Sequence, residues 1–351
     1  MTMLSTLHPV RHWRQTRWIR WIGYGLLAAL TLELCARSED LVRQGAAFWK
    51  PFSIESIFRQ GEFGREGRPG AHFGKWQMNS MGFRSPEPRP GKVRVLTFGA
   101  SETFGLYESP GNEYPRQLER TLQRHGMPDA EVVNIALPGL RVGHAEYLAR
   151  AVQALQPTWV LIYPTPANYI EADASYCGRH VAPRAPVPEK ALELRVVGKL
   201  GEQARQVVPP EVTTALKRLS IRLAERHVVP VDQLPQATLD LYRDDVECAV
   251  RTVEALGTKV VLATHATVFG PDLQPGDGQM LSAWRSYYPE LREAGFLDME
   301  RRANESLRAL AARRGLPLMD AAAQIPGGRR HFADFVHFTD EGARQMSDLA
   351  A

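Results

Sequence analysis

The sequence predicts an α/β fold of three layers, with helices on both faces of a parallel five-stranded sheet, preceded by one N-terminal transmembrane helix. Three observations predict it. From residue 92 onward, apolar runs of strand length alternate with longer amphipathic stretches, the pattern of strands joined by helical crossovers. Two of the longer stretches close on glycines, Gly257 and Gly315, and each leads into a new apolar run. Near the N-terminus an uncharged segment follows a cluster of arginines.

Arg11, Arg14, Arg17 and Arg20 are the only formal charges in residues 1–20, so the rest of the 351-residue chain balances 39 basic against 39 acidic residues. That balance excludes the basic face a nucleic-acid-binding domain needs, and no nucleic-acid partner is expected. Residues 21–32 carry no charge; with Trp18, Ile19, Leu34, Cys35 and Ala36 the apolar span reaches about 17–19 residues, at the lower edge of what crosses a bilayer. Arginines before the span, with Glu33, Glu39 and Asp40 beyond its apolar centre, put the N-terminus in the cytoplasm. The chain then reads as a basic cytoplasmic N-terminus (1–17), a single-pass anchor (18–36), a linker and lead-in (37–91) and a main domain (92–351). A cleaved signal peptide competes for the same segment, although Leu34 and Ala36 make a poor small-x-small site and Leu34 is too bulky for a lipidation signal at Cys35. On either reading the main domain lies outside the cytoplasmic membrane, where Cys177 and Cys248 have the option of a disulfide. With 44% hydrophobic residues and three cysteines, neither a disordered chain nor a disulfide-scaffold miniprotein fits.

Residues 37–91 are rich in Gly, Pro and Arg and read as a linker with one short strand at 75–78. Strands are expected at 93–98, 132–135, 159–163, 259–263 and 316–319, and helices at 114–125, 145–155, 244–256 and 299–314. The long segment between the third and fourth strands reads as an insertion at about 171–240, lying over or beside the site. Within it, residues 211–226 form an amphipathic pattern, with Val212, Leu216, Leu219 and Leu223 on one stripe and Arg218, Arg222 and Arg226 in a row beside it. That row is either a solvated face or a contact for lipid headgroups or an anionic glycan.

In a parallel sheet of this kind, ligands bind beyond the carboxyl ends of the strands. The first strand ends in Gly99-Ala100-Ser101-Glu102-Thr103-Phe104-Gly105, where small residues let the backbone turn sharply and leave a hydroxyl exposed. Near the other end of the chain stands Asp334-Phe335-Val336-His337. A serine hydroxyl is a poor nucleophile until an imidazole takes its proton, and the imidazole needs a carboxylate to fix its tautomer; a three-residue spacing can return the Asp carboxylate to His Nδ1. Thr339 and Asp340 then offer N-cap chemistry for a terminal helix. His144, His265 and His331 also lie near strand ends or loops and compete for the base role. No His, Cys or carboxylate cluster has metal-ligand spacing, and no glycine loop carries the lysine of a phosphate cradle, so no metal or cofactor is expected.

These residues resemble the SGNH/GDSL hydrolase family. Its first block resembles Gly99 to Gly105, with Ala100 where the family has Asp, and its last resembles Asp334 to His337. Asn134-Ile135-Ala136-Leu137-Pro138-Gly139, after the second strand, looks like the second block; Pro164-Thr165-Pro166-Ala167-Asn168-Tyr169, after the third, looks like the third, with Pro166 and Tyr169 where Gly and Asp are usual. Asn79-Ser80-Met81-Gly82-Phe83-Arg84 is similar to the lead-in of membrane-anchored bacterial members. The resemblance implies a flavodoxin-like sheet and Ser-His-Asp chemistry on an ester, with Ser101 as nucleophile, His337 as base and Asp334 orienting it. It implies an oxyanion hole from the Ser101 and Gly139 N–H groups and the Asn168 amide. It further implies a domain facing the periplasm from the bacterial inner membrane, with an acylated glycan, O-acetyl above all, or a small ester as substrate. An O-acyltransferase using the same site, or a non-catalytic glycan-binding or assembly protein, are the alternatives.

Overall fold

The computed structural model describes residues 10–50, 52–62, 64–178, 194–207, 229–270 and 273–351. The chain divides into two compact units, residues 1–56 with 188–208, and residues 57–187 with 209–351. The arginine-bearing stretch 211–226 lies outside the described residues.

The first unit is built on a 35-residue helix, Val10–Gln44. Its Arg17–Gln44 portion is long and apolar enough to cross a membrane, and contains the span expected at 18–36. Trp18, Trp21, Leu26, Leu27 and Leu30 stand exposed along it, whereas Ala36, Arg37 and Asp40 are buried near its end. A second helix, Arg195–Val207, packs against the first. Glu33 accepts the Arg195 and Val196 N–H groups at 2.9 and 3.0 Å, donors that no carbonyl within the second helix can reach. Asp40 pairs with Arg195, and with Lys199 at 3.0 Å. This part of the insertion therefore packs on the N-terminal helix; the acids on one helix and the basic N-terminal residues of the other explain the pairing.

In the second unit two antiparallel hairpins come first: β1 (Phe58–Gly61) with β2 (Gly64–Gly67), and β3 (His72–Phe73) with β4 (Trp76–Gln77). Phe58, Phe73, Met78 and Phe83 are buried, so much of the expected linker is packed structure. Its glycines serve close approach: a Cβ on Gly67 would lie 1.9 Å from the Gly82 carbonyl oxygen.

The parallel sheet follows, with β5 (Val93–Gly99), β6 (Ala130–Asn134), β7 (Trp159–Tyr163), β8 (Lys259–Ala263) and β9 (Leu318–Met319) in the order β6-β5-β7-β8-β9. This is the flavodoxin-like order, with the strand sequence reversing beside β5. Leu96, Phe98, Val132, Val160, Ile162 and Leu262 are fully or almost fully buried, as strands covered on both faces require. Helix Tyr114–Arg124 packs with the C-terminal helix Asp340–Ala350; Ala145–Leu155, Gln236–Ala255 and Glu293–Arg314 pack in succession. Right-handed crossovers put these two groups on opposite faces.

Two helices start earlier than their apolar periodicity shows, at Gln236 and Glu293. Their first turns carry the polar residues Gln236, Thr238 and Glu293. The last strand is shorter than expected because Pro317 has no N–H; it enters the sheet only as an acceptor, through its carbonyl to Leu262 N.

Candidate active site

β5 turns directly into a one-turn helix, Ser101–Phe104, whose first residue is the serine. The turn demands glycine: a Cβ on Gly99 would lie 2.3 Å from Thr103 Oγ1 and 2.7 Å from the Tyr163 carbonyl oxygen. Gly105 ends the helix with φ +86°. The lead-in braces this turn from outside. Asn79 Oδ1 accepts the N–H groups of Met81 and Phe83 at 3.0 and 2.9 Å, which shapes the loop that delivers Arg84. The Arg84 guanidinium, 4% exposed, donates to the carbonyls of Phe104 and Gly105 and pairs with Glu113 at 3.2 Å.

The second and third blocks converge on the first. Asn134 Nδ2 donates to the Thr103 carbonyl at 2.8 Å, and Leu137 N–H reaches the Gly99 carbonyl at 3.3 Å. Gly139 follows with φ +75°. Thr165 Oγ1 donates to Glu102 Oε2 at 3.1 Å, and Asn168 Nδ2 donates to the Leu140 carbonyl at 3.0 Å. Tyr169, the departure from the family pattern, is buried and donates to Asp245 Oδ2 at 2.9 Å. Asp245 also accepts from Ser175 and the Tyr176 N–H, and Cys177 is bridged to Cys248 with 5.9 Å between Cα atoms.

Asp334 and His337 form the pair their spacing suggested. Asp334 Oδ2 lies 2.7 Å from His337 Nδ1, while Oδ1 accepts the Val336 and His337 N–H groups at 3.0 and 2.9 Å. Burial opposes charge on both and is the largest single influence, yet the mutual hydrogen bond, the backbone N–H groups on Asp334 and the neighbouring charges together outweigh it: the Asp334 carboxyl is held below its ordinary value and the His337 imidazole above. The Glu102, Asp334 and Glu108 charges add to the His337 shift. His337 Nε2 is buried and has no hydrogen-bond partner among the described residues. The Tyr107 ring lies 5.0 Å from the imidazole, its phenol pushed up to about 12 by burial and then by the charge of Asp334. Thr339 caps the terminal helix by accepting Gly342 N–H at 3.2 Å. Asp340 does not share that task; its carboxylate accepts Ser109 N–H and Asn112 Nδ2 at 2.6 and 2.9 Å and ties down the loop after the serine helix.

Ser101 itself departs from expectation. Its hydroxyl donates to Glu102 Oε2 at 3.3 Å rather than to His337. The competing imidazoles are engaged elsewhere. His144 is held down to about 4 by burial and meets the Tyr176 ring edge-on at 4.7 Å. His331 lies 3.1 Å from Gln345 Nε2, and His265 is enclosed between two carboxylates. Sequence reasoning missed Glu102, Glu300, Glu108 and Tyr107. Only His265 left a signal, as an imidazole just past a strand end. Among the described residues no group of His, Cys, Asp or Glu is arranged to hold a metal ion.

No protein-family model and no curated protein matches the sequence. Solved structures similar to the chain include a lipase/acylhydrolase from Enterococcus faecalis, at 16% identity over 73% of this chain and 92% of that one, with a TM-score of 0.43. A GDSL-like lipase from Bacteroides thetaiotaomicron matches at 14% identity over 75% and 88%, TM-score 0.41. A catalytic mutant of an acetylxylan esterase from Geobacillus stearothermophilus matches at 15% over 74% and 92%, TM-score 0.41.

Proposed function

We propose that the chain is an extracytoplasmic serine esterase of SGNH type, acting on acyl esters, O-acetyl above all, of a glycan. The observation that carries the reading is the Asp334–His337 hydrogen bond at 2.7 Å, with Nε2 of the same ring buried and unpartnered among the described residues. An imidazole fixed at Nδ1 by a carboxylate is competent to take a proton at Nε2. The four sequence blocks supply the remaining roles. Ser101 Oγ attacks the acyl carbonyl and its proton passes to His337 Nε2. The tetrahedral oxyanion is held by the Ser101 and Gly139 N–H groups and by Asn168, whose amide has a second N–H beyond the one bound to Leu140. His337 returns the proton to the departing sugar oxygen, and the same steps with water as nucleophile release the acid.

Placement outside the cytoplasm is supported by the arginines preceding the exposed apolar helix and by the Cys177–Cys248 bridge, which suits an oxidising compartment. A glycan is supported by the exposed rings of Tyr107 beside His337 and Tyr287 beside Phe335, flat apolar faces of the kind sugars stack on. The test is labelling of the detergent-solubilised protein with a fluorophosphonate probe. Wild type is expected to label and Ser101→Ala to remain unlabelled. A folded wild type that does not label would overturn the enzyme reading in favour of a binding protein.

A further inference from the structure

Behind the serine lies a second imidazole with no part in the steps above. His265, just past β8, is 1% exposed, and each ring nitrogen faces a carboxylate: Nδ1 is 2.8 Å from Glu300 Oε2, and Nε2 is 3.3 Å from Glu102 Oε1. The other oxygen of Glu102 accepts from Ser101 Oγ at 3.3 Å and Thr165 Oγ1 at 3.1 Å. Glu300, His265 and Glu102 thus form a buried line that ends on the nucleophile's hydroxyl. A neutral imidazole has one donor and one acceptor, and ionised carboxylates only accept, so the ring satisfies both neighbours as the imidazolium. Burial disfavours that charge, but Glu300 and Glu102 together hold the ring's pKa up at about 10. Burial likewise opposes the charge of Glu102 most strongly, and the His265 hydrogen bond together with the His265 and His337 charges overcomes it. Three buried ionisable groups are seldom more stabilising than an apolar trio of the same volume, so stability alone does not account for them.

We infer that Glu102, backed by His265 and Glu300, is a second carboxylate of the catalytic machinery: it holds the Ser101 hydroxyl at rest and supplies a fixed negative charge that stabilises the His337 imidazolium once Ser101 has given up its proton. This rests on Ser101 being the nucleophile. Glu102 touches the reacting oxygen; His265 and Glu300 are positioning residues. The hydroxyl leaves Glu102 and turns to His337 Nε2, the proton crosses to that nitrogen, and Glu102 stays ionised throughout, so the relay gains and loses no proton. The groups facing His337 are Asp334, Glu102, Glu108 and the Tyr107 ring. Those facing His265 are Glu102, Glu300, the Tyr163 ring and Asn304. Glu102 is further faced by Ser101, Thr165 and His337.

The test is the pH profile of kcat/KM on a chromogenic acetyl ester, with fluorophosphonate labelling alongside, for the full chain in detergent. Glu102→Gln keeps the size and removes the charge. The acid limb, set by His337, is expected to move to lower pH by roughly 0.5–1 unit, with kcat falling about tenfold or more and KM changing little. Glu102→Asp, which keeps the charge, should restore the acid limb. An acid limb unmoved in Glu102→Gln, with wild type labelling normally, overturns the relay; failure of wild type to label overturns the Ser101 reading instead. Should Glu102→Gln not fold, 15N-histidine NMR of wild type decides: both His265 nitrogens protonated at pH 8 supports the relay, and a neutral ring overturns it.

Discussion

Glu108 offers a stability change whose size follows from its surroundings. The residue is 1% exposed; Oε2 accepts the Tyr107 N–H at 3.1 Å, and Oε1 is buried without a partner among the described residues. Burial pushes the carboxyl from 4.5 up to about 7. The folded state then holds this proton more tightly than the unfolded chain does. Its contribution is fully present below pH 4.5 and is lost as the pH rises through 7, a change of about 3 kcal/mol at roughly 1.4 kcal/mol per unit. Glu108→Gln abolishes the ionisation and leaves an amide whose unmet hydrogen bonding costs about 1 kcal/mol. The variant should therefore match wild type or fall slightly below it at pH 4.5, and exceed it by about 2 kcal/mol at pH 8.5. Guanidinium unfolding of the detergent-solubilised chain, followed by tryptophan fluorescence at several pH values, measures the difference. Parallel wild-type and variant curves across that range would falsify the burial argument.

Three further outcomes are expected. Asn168→Ala should lower kcat roughly 10²–10³-fold with little change in melting temperature, and a change confined to KM would move Asn168 from the oxyanion to substrate binding. Asp334→Ala and His337→Ala should each reduce kcat/KM by about 10⁴-fold or more, and in the double variant the losses should fall well short of adding, because the two act as one unit. Arg84→Met strands the Glu113 carboxylate and should cost about 3–5 kcal/mol in chemical unfolding, and Arg84→Met with Glu113→Leu should recover most of it.

The sheet was legible because strands covered on both faces must read as unbroken apolar runs, and 159–163 and 259–263 match β7 and β8 residue for residue. The Asp334–His337 pair was legible because its geometry is local, one turn of chain wrapped around a carboxylate. The Glu102–His265–Glu300 line was not, since its members are 163 and 35 residues apart and each reads alone as an ordinary polar residue. The hairpins of residues 58–77 were hidden for another reason: glycines that let two backbones touch look, in a sequence, the same as glycines that let a chain bend. The helix Arg195–Val207 was missed because its partners, Glu33 and Asp40, were read only as charges that orient the apolar span.

The Cys177–Cys248 bridge spans 71 positions of sequence and encloses the insertion from residue 178 onward. A single peptide bond cleaved anywhere between the two cysteines leaves two polypeptides still covalently joined. The amino-terminal fragment carries Ser101, Gly139 and Asn168, and the carboxyl-terminal one carries Asp334 and His337. A nicked molecule would run as one band on a gel without reductant and as two with it. On the proposed placement outside the cytoplasm, the covalent link would make a proteolytic cut between the two cysteines a survivable injury, because both halves of the candidate active site remain tethered through it.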